Sequence, residues 1–326
     1  MNPSAVPLRI GTRSSALALW QTERIREQLR LRGWETHRVE LKTTGDLAPD
    51  VPLSRLGSRA IFTKQIDDAL IQGRIDLAVH SLKDLPTQLP EQIEIAAIAF
   101  REDPRDALVG RGPIRFGDLQ EGALVATSSL RRRAQLLHLR PDIKVIELRG
   151  NVDTRLAKLD SHPEWSAIVL ASAGLVRLEL GHRIGERLPP ALMLPAPGQG
   201  ALAVTVRSGD LAVGSIVRQA LHEPGTATAV AAERAFLRQL EGGCQVPVAA
   251  YAEMTPDEGG TVLRLHGRVI ALDGETMVEG REVGTVTDEK SAALLGTRLA
   301  DRLLAEGAGE ILADVRTASA PGVTEP

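Results

Sequence analysis

Between residues 131 and 158 the chain gathers Arg131, Arg132, Arg133, Arg140, Lys144, Arg149, Arg155 and Lys158 against only Asp142, Glu147 and Asp153. The whole chain has a formal net charge of −3, so the remainder is net acidic and this is a local concentration of positive charge. A guanidinium is a rigid fork that matches carboxylate or phosphate. Arg131 and Arg132 fall in the first turn of an expected helix, just after Thr127-Ser128-Ser129. The helix dipole disfavours cations there. A bound anion would offset the repulsion, and the free N–H groups of a helix start would add to its binding. One Arg–carboxylate pair at about 4 Å is worth roughly 4 kcal/mol at an effective dielectric of 20, before desolvation. The plain alternative is a solvated helix face. Nucleic acid is the rival anion, but the chain has only eight aromatic residues and no nucleic-acid-binding motif.

Two further groups could do chemistry. His80-Ser81-Leu82-Lys83-Asp84-Leu85-Pro86 closes an apolar strand. Lys83 and Asp84 could be a simple ion pair. A carboxylate at the floor of a cationic cleft can also stabilise a developing positive charge and relay protons. Cys244 stands in Gly242-Gly243-Cys244-Gln245, where the backbone can approach another group closely. A lone cysteine is most often a small buried hydrophobe, yet a thiol on such a loop can also be a covalent anchor or nucleophile.

The elements that must position these groups form a repeat. Leu8–Gly11 reads as a strand, Ser14-Ser15 as a turn, and Ala16 to Arg32 as a helix stopped by Gly33. Strands follow at Arg38–Leu41 and Ile75–Val79. About 115 residues on, the order returns. Ala123–Ala126 is a strand, Ser128-Ser129 a turn and Leu130 to Leu139 a helix, and strands follow at Ile143–Leu148 and Ala167–Leu170. Strand–helix alternation predicts mostly parallel sheets covered on both faces. Ligands of such sheets bind beyond the carboxyl ends of the strands, where the polar turns of both repeats lie, His80–Asp84, Thr127–Ser129 and Arg149–Asp153 among them. Two facing lobes would leave a cleft between them.

The predicted fold class is therefore α/β, with two βαβ lobes of periplasmic-binding-protein type around a cleft and a small α+β C-terminal domain. Residues 1–102 and 200–220 form lobe 1, 103–199 lobe 2, and 221–326 the third domain with Cys244. Arg101–Asp106 and Leu194–Gly200 are the paired crossovers, and a strand at Ala201–Val206 returns to lobe 1. Lobes joined by two crossovers can hinge. The stretch from Gly45 to Ile61 reads as a mobile lid. In the third domain Ala227 to Leu240 is helical. Strands are expected at Pro247–Met254, Thr261–Ala271 and Met277–Val286, with Asp273-Gly274 as a hairpin turn. Thr287 caps a last helix, and a loose tail follows about Arg316.

Composition sets outer limits. At 326 residues, 43% hydrophobic and 25% charged, the chain is expected to be a soluble, cytosolic, multidomain globule. Its longest apolar run is far short of the roughly 18–20 residues of a membrane helix. No secretory leader is expected from an N-terminus holding Pro3, Pro7, Arg9 and Arg13. One cysteine excludes an internal disulfide framework, and seven scattered histidines give no metal-ligand spacing.

The residues also resemble a known family, porphobilinogen deaminase or hydroxymethylbilane synthase. The strings are Arg9-Ile-Gly-Thr-Arg-Ser-Ser-Ala-Leu-Ala-Leu-Trp-Gln21, Ala78-Val-His-Ser-Leu-Lys-Asp-Leu-Pro86 and Arg101-Glu-Asp-Pro-Arg-Asp106. They continue in Thr127-Ser-Ser-Leu-Arg-Arg132, Leu148-Arg-Gly-Asn-Val-Asp-Thr-Arg155, Pro197-Gly-Gln-Gly200 and Glu241-Gly-Gly-Cys-Gln-Val-Pro247. The resemblance implies an enzyme that joins four porphobilinogen molecules head to tail into hydroxymethylbilane and releases four ammonia. It implies a dipyrromethane cofactor held by a thioether to Cys244, and Asp84 as the catalytic residue, stabilising the cation formed when ammonia leaves and managing pyrrole N–H protons.

By the same resemblance, Ser81, Lys83, Asp84, Thr127, Ser129, Arg131 and Arg132 bind the cofactor. Arg13, Ser15, Phe62, Arg149, Arg155 and Arg177 bind substrate and growing chain. No metal is implied, the only partner is the small-molecule substrate, with no nucleic acid and no membrane, and the chain is expected to be monomeric. The lid departs from the family pattern at Arg59, Ala60 and Gln65. Two other readings stand beside this one: a two-lobe protein that binds or senses a carboxylate ligand, and a nucleic-acid binder. Neither uses the Gly-Gly-Cys loop.

Overall fold

The computed structural model describes residues 6–42, 63–240, 246–257 and 260–318. Strand β1 (Leu8–Thr12) leads into α1 (Ala16–Leu31). Ser15 is the N-cap of α1, its side chain accepting the Ala18 N–H, so the Ser-Ser start does what the sequence suggested. Ile25 and Leu29, one turn apart, are fully buried. Gly33, at φ +82, ends the helix. Strand β2 (Thr36–Glu40), α2 (Lys64–Ile71), β3 (Leu77–Ser81) and β4 (Ile93–Arg101) complete this part of the chain. The expected lid, 45–61, lies outside the described residues.

The second lobe begins at β5 (Asp106–Val109), followed by β6 (Leu124–Ala126), α3 (Leu130–Leu139) and β7 (Lys144–Ile146). After these come α4 (Val152–Ser161), β8 (Trp165–Ala171), α5 (Ser172–Arg177) and β9 (Glu186–Leu188). The chain returns through β10 (Ala201–Arg207), α6 (Leu211–Leu221) and α7 (Pro224–Gln239).

The two five-stranded sheets have the orders β2-β1-β3-β10-β4 and β7-β6-β8-β5-β9. Both follow one plan. Three parallel strands come first, then an antiparallel strand, then a last strand on its far side. In each lobe the antiparallel strand is the one arriving from the other lobe, β10 in the first and β5 in the second. The parallel expectation therefore holds for β1–β3 and β6–β8. It fails for the crossover strands, whose direction is set by where the chain has come from. Strands β4, β5 and β9 were not foreseen. Ile95–Phe100 registered only as an apolar run, because a strand covered on both faces has no alternation to detect.

The third sheet is the antiparallel meander β11 (Val248–Asp257), β12 (Gly260–Ile270) and β13 (Met277–Gly284). It packs on α7, α8 (Glu289–Leu303) and α9 (Gly309–Ala318) around Phe236, Leu263, Leu265, Leu295 and Leu299. Asp288, not Thr287, caps α8. Its carboxylate accepts the Ser291 N–H at 2.8 Å in a reciprocal capping box. Thr287 only donates its own N–H to Ser291 Oγ. Helix α9 runs past Arg316, where a loose tail was expected; residues beyond 318 lie outside the described ones.

This third domain docks on both lobes. Arg234 of α7 donates to Pro86 O at 2.8 Å. Arg268 of β12 reaches Gln135 Oε1 at 3.0 Å. The β12–β13 turn sets Gly274 against the end of α3, where Gly274 O accepts from His138 Nδ1 at 2.8 Å.

The crossovers run side by side, with Glu102 N donating to Gly200 O at 3.0 Å. Gly200 has φ +88, and a Cβ there would lie 2.3 Å from Glu102 O. Gly200→Ala should therefore combine left-handed strain of about 1–3 kcal/mol with a backbone overlap that only separation of the crossovers relieves. A clear fall in the urea midpoint is expected; an unchanged midpoint would mean that the crossovers are not held this closely.

Candidate active site

Asp106 opens β5 at the first crossover and is 0% exposed. Arg131 Nη1 lies 2.8 Å from its Oδ2, and Arg132 Nη2 and Nε lie 2.8 and 3.0 Å from its Oδ1. Burial opposes ionisation of Asp106, but the two guanidiniums outweigh it and hold the carboxyl well below its ordinary range. Burial pushes Arg131 down, against the pull of Asp106. Two further hydrogen bonds reach backbone: Arg131 Nη1 to Leu194 O at 2.7 Å and Arg132 Nη1 to Val169 O at 3.0 Å.

The offset expected from a ligand at the start of α3 is thus supplied internally by Asp106. Two cations share one carboxylate, so the cluster keeps an excess positive charge. Ser129 caps this helix by accepting the Arg132 N–H at 3.4 Å, and Thr127 Oγ1 accepts the Ser129 N–H at 3.2 Å.

Lobe 1 presents Lys83 and Asp84 on a short 3-10 turn, Leu82–Asp84, beyond β3. The buried Leu82 anchors that turn, and Ser81 Oγ accepts from Gln21 at 2.9 Å. Burial lowers Lys83 to about 8, Asp84 and Asp106 opposing the fall and Arg132 and Arg131 adding to it. Its ammonium donates to Gln199 Oε1 at 3.3 Å. Asp84 is exposed. The cation next to Asp84 is therefore fixed from another element, which a simple Lys83–Asp84 pair would not require.

Lobe 2 supplies the opposite wall. Arg149 Nε donates to Glu147 at 2.8 Å. Arg155 lies in the first turn of α4, which Asn151 caps, and its Nε donates to Gly150 O at 2.8 Å. Burial lowers Arg155 to about 10, Arg132 and Arg149 adding to the fall and Asp84 opposing it. Lys83, Asp84, Arg132, Arg149 and Arg155 therefore share one electrostatic neighbourhood drawn from both lobes.

Other expected residues fall elsewhere. Arg13 acts on His80, which burial, aided by Arg13, lowers to about 4; His80 Nε2 is 3.1 Å from Thr205 Oγ1. The Ser15 hydroxyl caps α1. Arg177 is 3% exposed at the lobe seam, its guanidinium 5.7 Å from the Trp20 ring centre and 5.6 Å from that of Phe100, with Nη2 on Gly200 O at 2.5 Å. Phe62 and Cys244 lie outside the described residues, where the chain is described up to Leu240 and again from Val246.

Three residues were missed by sequence reasoning. Asp106 and Gln199 sit inside noted strings, but nothing in the spacing joins them to Arg131 and Arg132. Glu233 on α7 is 0% exposed and accepts Arg101 Nη1 at 2.8 Å, Gly198 N at 2.7 Å and Ala252 N at 2.8 Å. A charged residue on an apolar helix stripe was its only signal.

Such a fold and site define a two-lobed α/β protein whose lobes jointly present cations around an exposed carboxylate, with a third domain docked across both. The chain belongs to the porphobilinogen deaminase family. Residues 8–215 match the model described as porphobilinogen deaminase, dipyromethane cofactor binding domain, and residues 227–305 match its C-terminal domain. A porphobilinogen deaminase of Rubrobacter xylanophilus is 51% identical, covering 95% of this chain and 97% of that one. One of Moorella thermoacetica is 48% identical over 96% and 98%. Among solved structures, the methionine-binding protein MetQ aligns with TM-score 0.41 at 14% identity over 65% of this chain and 89% of its own, too distant to argue from.

Dipyrromethane is the cofactor of this family. The residues present fit a carboxylate-bearing group: Lys83, Arg132, Arg149 and Arg155 converge from two lobes, and the buried Asp106 neutralises only part of that charge.

Asp106→Asn leaves two buried guanidiniums without their counter-charge, and a loss of about 3–5 kcal/mol is expected. Because the folded pKa of Asp106 lies below its unfolded value of about 3.9, its contribution is complete above that value and is lost as pH falls through the acid range beneath it. The urea-midpoint gap between wild type and variant should therefore narrow on going from about pH 5 to about pH 3. A gap that stays constant there would show that Asp106 is not the ionised partner.

Proposed function

We propose that this chain condenses four porphobilinogen molecules head to tail into hydroxymethylbilane with release of ammonia, the reaction its family is named for. The observation that carries the reading is the exposed carboxylate of Asp84 set among cations from both lobes. Each porphobilinogen brings two carboxylates, so a growing chain is a polyanion. Arg and Lys at the strand ends answer that charge without any metal ligand set; among the described residues no cluster of His, Asp and Glu could hold a metal ion.

The residue roles are part of the same proposal. Lys83, Arg131 and Arg132, with the Ser81, Thr127 and Ser129 turns that shape their backbone, hold the carboxylates of dipyrromethane. Arg149 and Arg155 take those of substrate and growing chain, and Arg13, Ser15, Phe62 and Arg177 are given the same role on the family resemblance alone. Dipyrromethane, when bound through Cys244, supplies the primer on which the chain is built. Asp84 stabilises positive charge as ammonia departs from porphobilinogen and holds pyrrole N–H protons, which needs a carboxylate that is ionised and reachable.

The domain bounds that fit this work are 1–102 with 200–220, 103–199 and 221–326. Among the described residues no helix is long and apolar enough to cross a membrane. A monomer acting in the cytoplasm on a small-molecule substrate is the arrangement we infer. Nothing in the site favours a ligand sensor over an enzyme.

Asp84→Asn tests the assignment. The variant should fold, keep on Cys244 the mass of two linked pyrrole units, and lose turnover by about two to four orders of magnitude, the range for a displaced acid–base or electrostatic group. Near-normal product formation would remove Asp84 from the chemistry. A wild-type Cys244 that stays unmodified after incubation with porphobilinogen would remove the enzyme reading itself.

A further inference from the structure

Gln199 is 1% exposed and sits on the second crossover, yet its side chain faces both lobes. Its Nε2 donates to Pro104 O at 2.7 Å and to Asp106 Oδ1 at 3.0 Å. Its Oε1 accepts from Lys83 at 3.3 Å. The two amide hydrogens are thereby used and the carbonyl must face Lys83, so its partners define the orientation of the amide. The backbone is fixed as well. Gln199 N donates to Ala196 O at 2.9 Å, and Gln199 O accepts Arg101 Nε at 3.0 Å. Gly198 and Gly200, at φ +74 and +88, bend the chain on either side.

We infer that Gln199 is a positioning residue for the condensation reaction: its amide sets the Lys83 ammonium of lobe 1 at a fixed place relative to the Asp106–Arg131–Arg132 cluster of lobe 2, so that cations from both lobes meet carboxylates as one preset array. The inference rests on the reading that Lys83 holds pyrrole carboxylates. A neutral amide suits this place. It accepts from a cation on one side and donates to an anion on the other without adding charge to a buried site. Preset donors also avoid the cost of ordering a long side chain when a ligand arrives.

Lys83 makes the arrangement measurable. The charged groups acting on it are Asp84 on its own turn, Asp106 of β5, and Arg131 and Arg132 of α3. Burial already weakens its hold on the proton, so the loss or strengthening of one acceptor moves its titration into or out of the accessible alkaline range.

The experiment uses purified full-length protein. Gln199→Met keeps volume but removes the acceptor, and Gln199→Glu replaces it with a stronger one. The fraction loaded with dipyrromethane is read by intact mass, and KM and kcat for porphobilinogen are followed from about pH 6.5 to 9.5. In Gln199→Met the alkaline rise in KM should begin at lower pH, with KM raised about tenfold near pH 8, kcat changed less than about threefold, and a lower loaded fraction. In Gln199→Glu the rise should move to higher pH. Shifts in opposite directions are not produced by loosened packing, which would move both variants the same way. A pH profile like wild type in either soluble variant, or shifts in the same direction, overturns the inference. Lys83→Met separates the two levels. If it leaves loading and KM unchanged, the role given to Lys83 fails; if it impairs them while the Gln199 variants do not, only the inference about Gln199 fails.

Discussion

Everything at this site depends on one ion cluster, Asp106 between Arg131 and Arg132, sealed from water where the chain first crosses between lobes. A single buried carboxylate beside one guanidinium would be a neutral structural pair. Beside two, it permits adjacent arginines at a helix start, where the dipole and their mutual repulsion both oppose them. It also leaves an excess cation facing the other lobe. The same contacts to Asp106 also fix the guanidinium planes. Burying charge this deeply requires paired partners, and the two arginines also engage Leu194 O and Val169 O.

A second buried carboxylate does comparable work for the third domain. Glu233 reaches Arg101 at the end of β4, Gly198 in the second crossover and Ala252 in β11. One side chain thereby joins the first lobe, the crossover and the third sheet. Arg234, the next residue on α7, adds a bond to Pro86 just beyond the Lys83–Asp84 turn. Helix α7 ends at Gln239, five residues before Cys244 in the sequence. The carboxylate that orients α7 therefore also orients the helix end that precedes Cys244 in the sequence.

Much of this architecture was legible in the residues, and what was not had physical reasons. The Ser-Ser helix starts, the βαβ repeat, the returning strand at Ala201 and the hairpin at Gly274 are local signals, and each appears in place. Strand β4 carried no alternation because it is covered on both faces. The cap at Asp288 was assigned one residue early because Thr and Asp both cap well. The cationic cluster was visible as charge density. Its counter-ion was not, because Asp106 is brought to Arg131 and Arg132 by an antiparallel strand entering from the other lobe, a pairing that no local spacing encodes. Glu233 and Gln199 escaped for the same reason, since their partners are assembled by topology.

That topology also constrains how the lobes can move. The two crossovers are tied by the Glu102–Gly200 hydrogen bond and by the close approach that only a glycine at 200 permits. Any rotation of one lobe against the other must turn about these strands. Groups on the axis of a rotation move least. Gln199 and Asp106 belong to the crossovers and the Lys83 ammonium bonds to Gln199, whereas Arg149 follows β7 and Arg155 lies in the first turn of α4. A rotation about the crossovers would therefore leave the Lys83–Gln199–Asp106 spacing nearly fixed. That constancy follows from placing the buried ion cluster at the crossover rather than in the middle of either lobe.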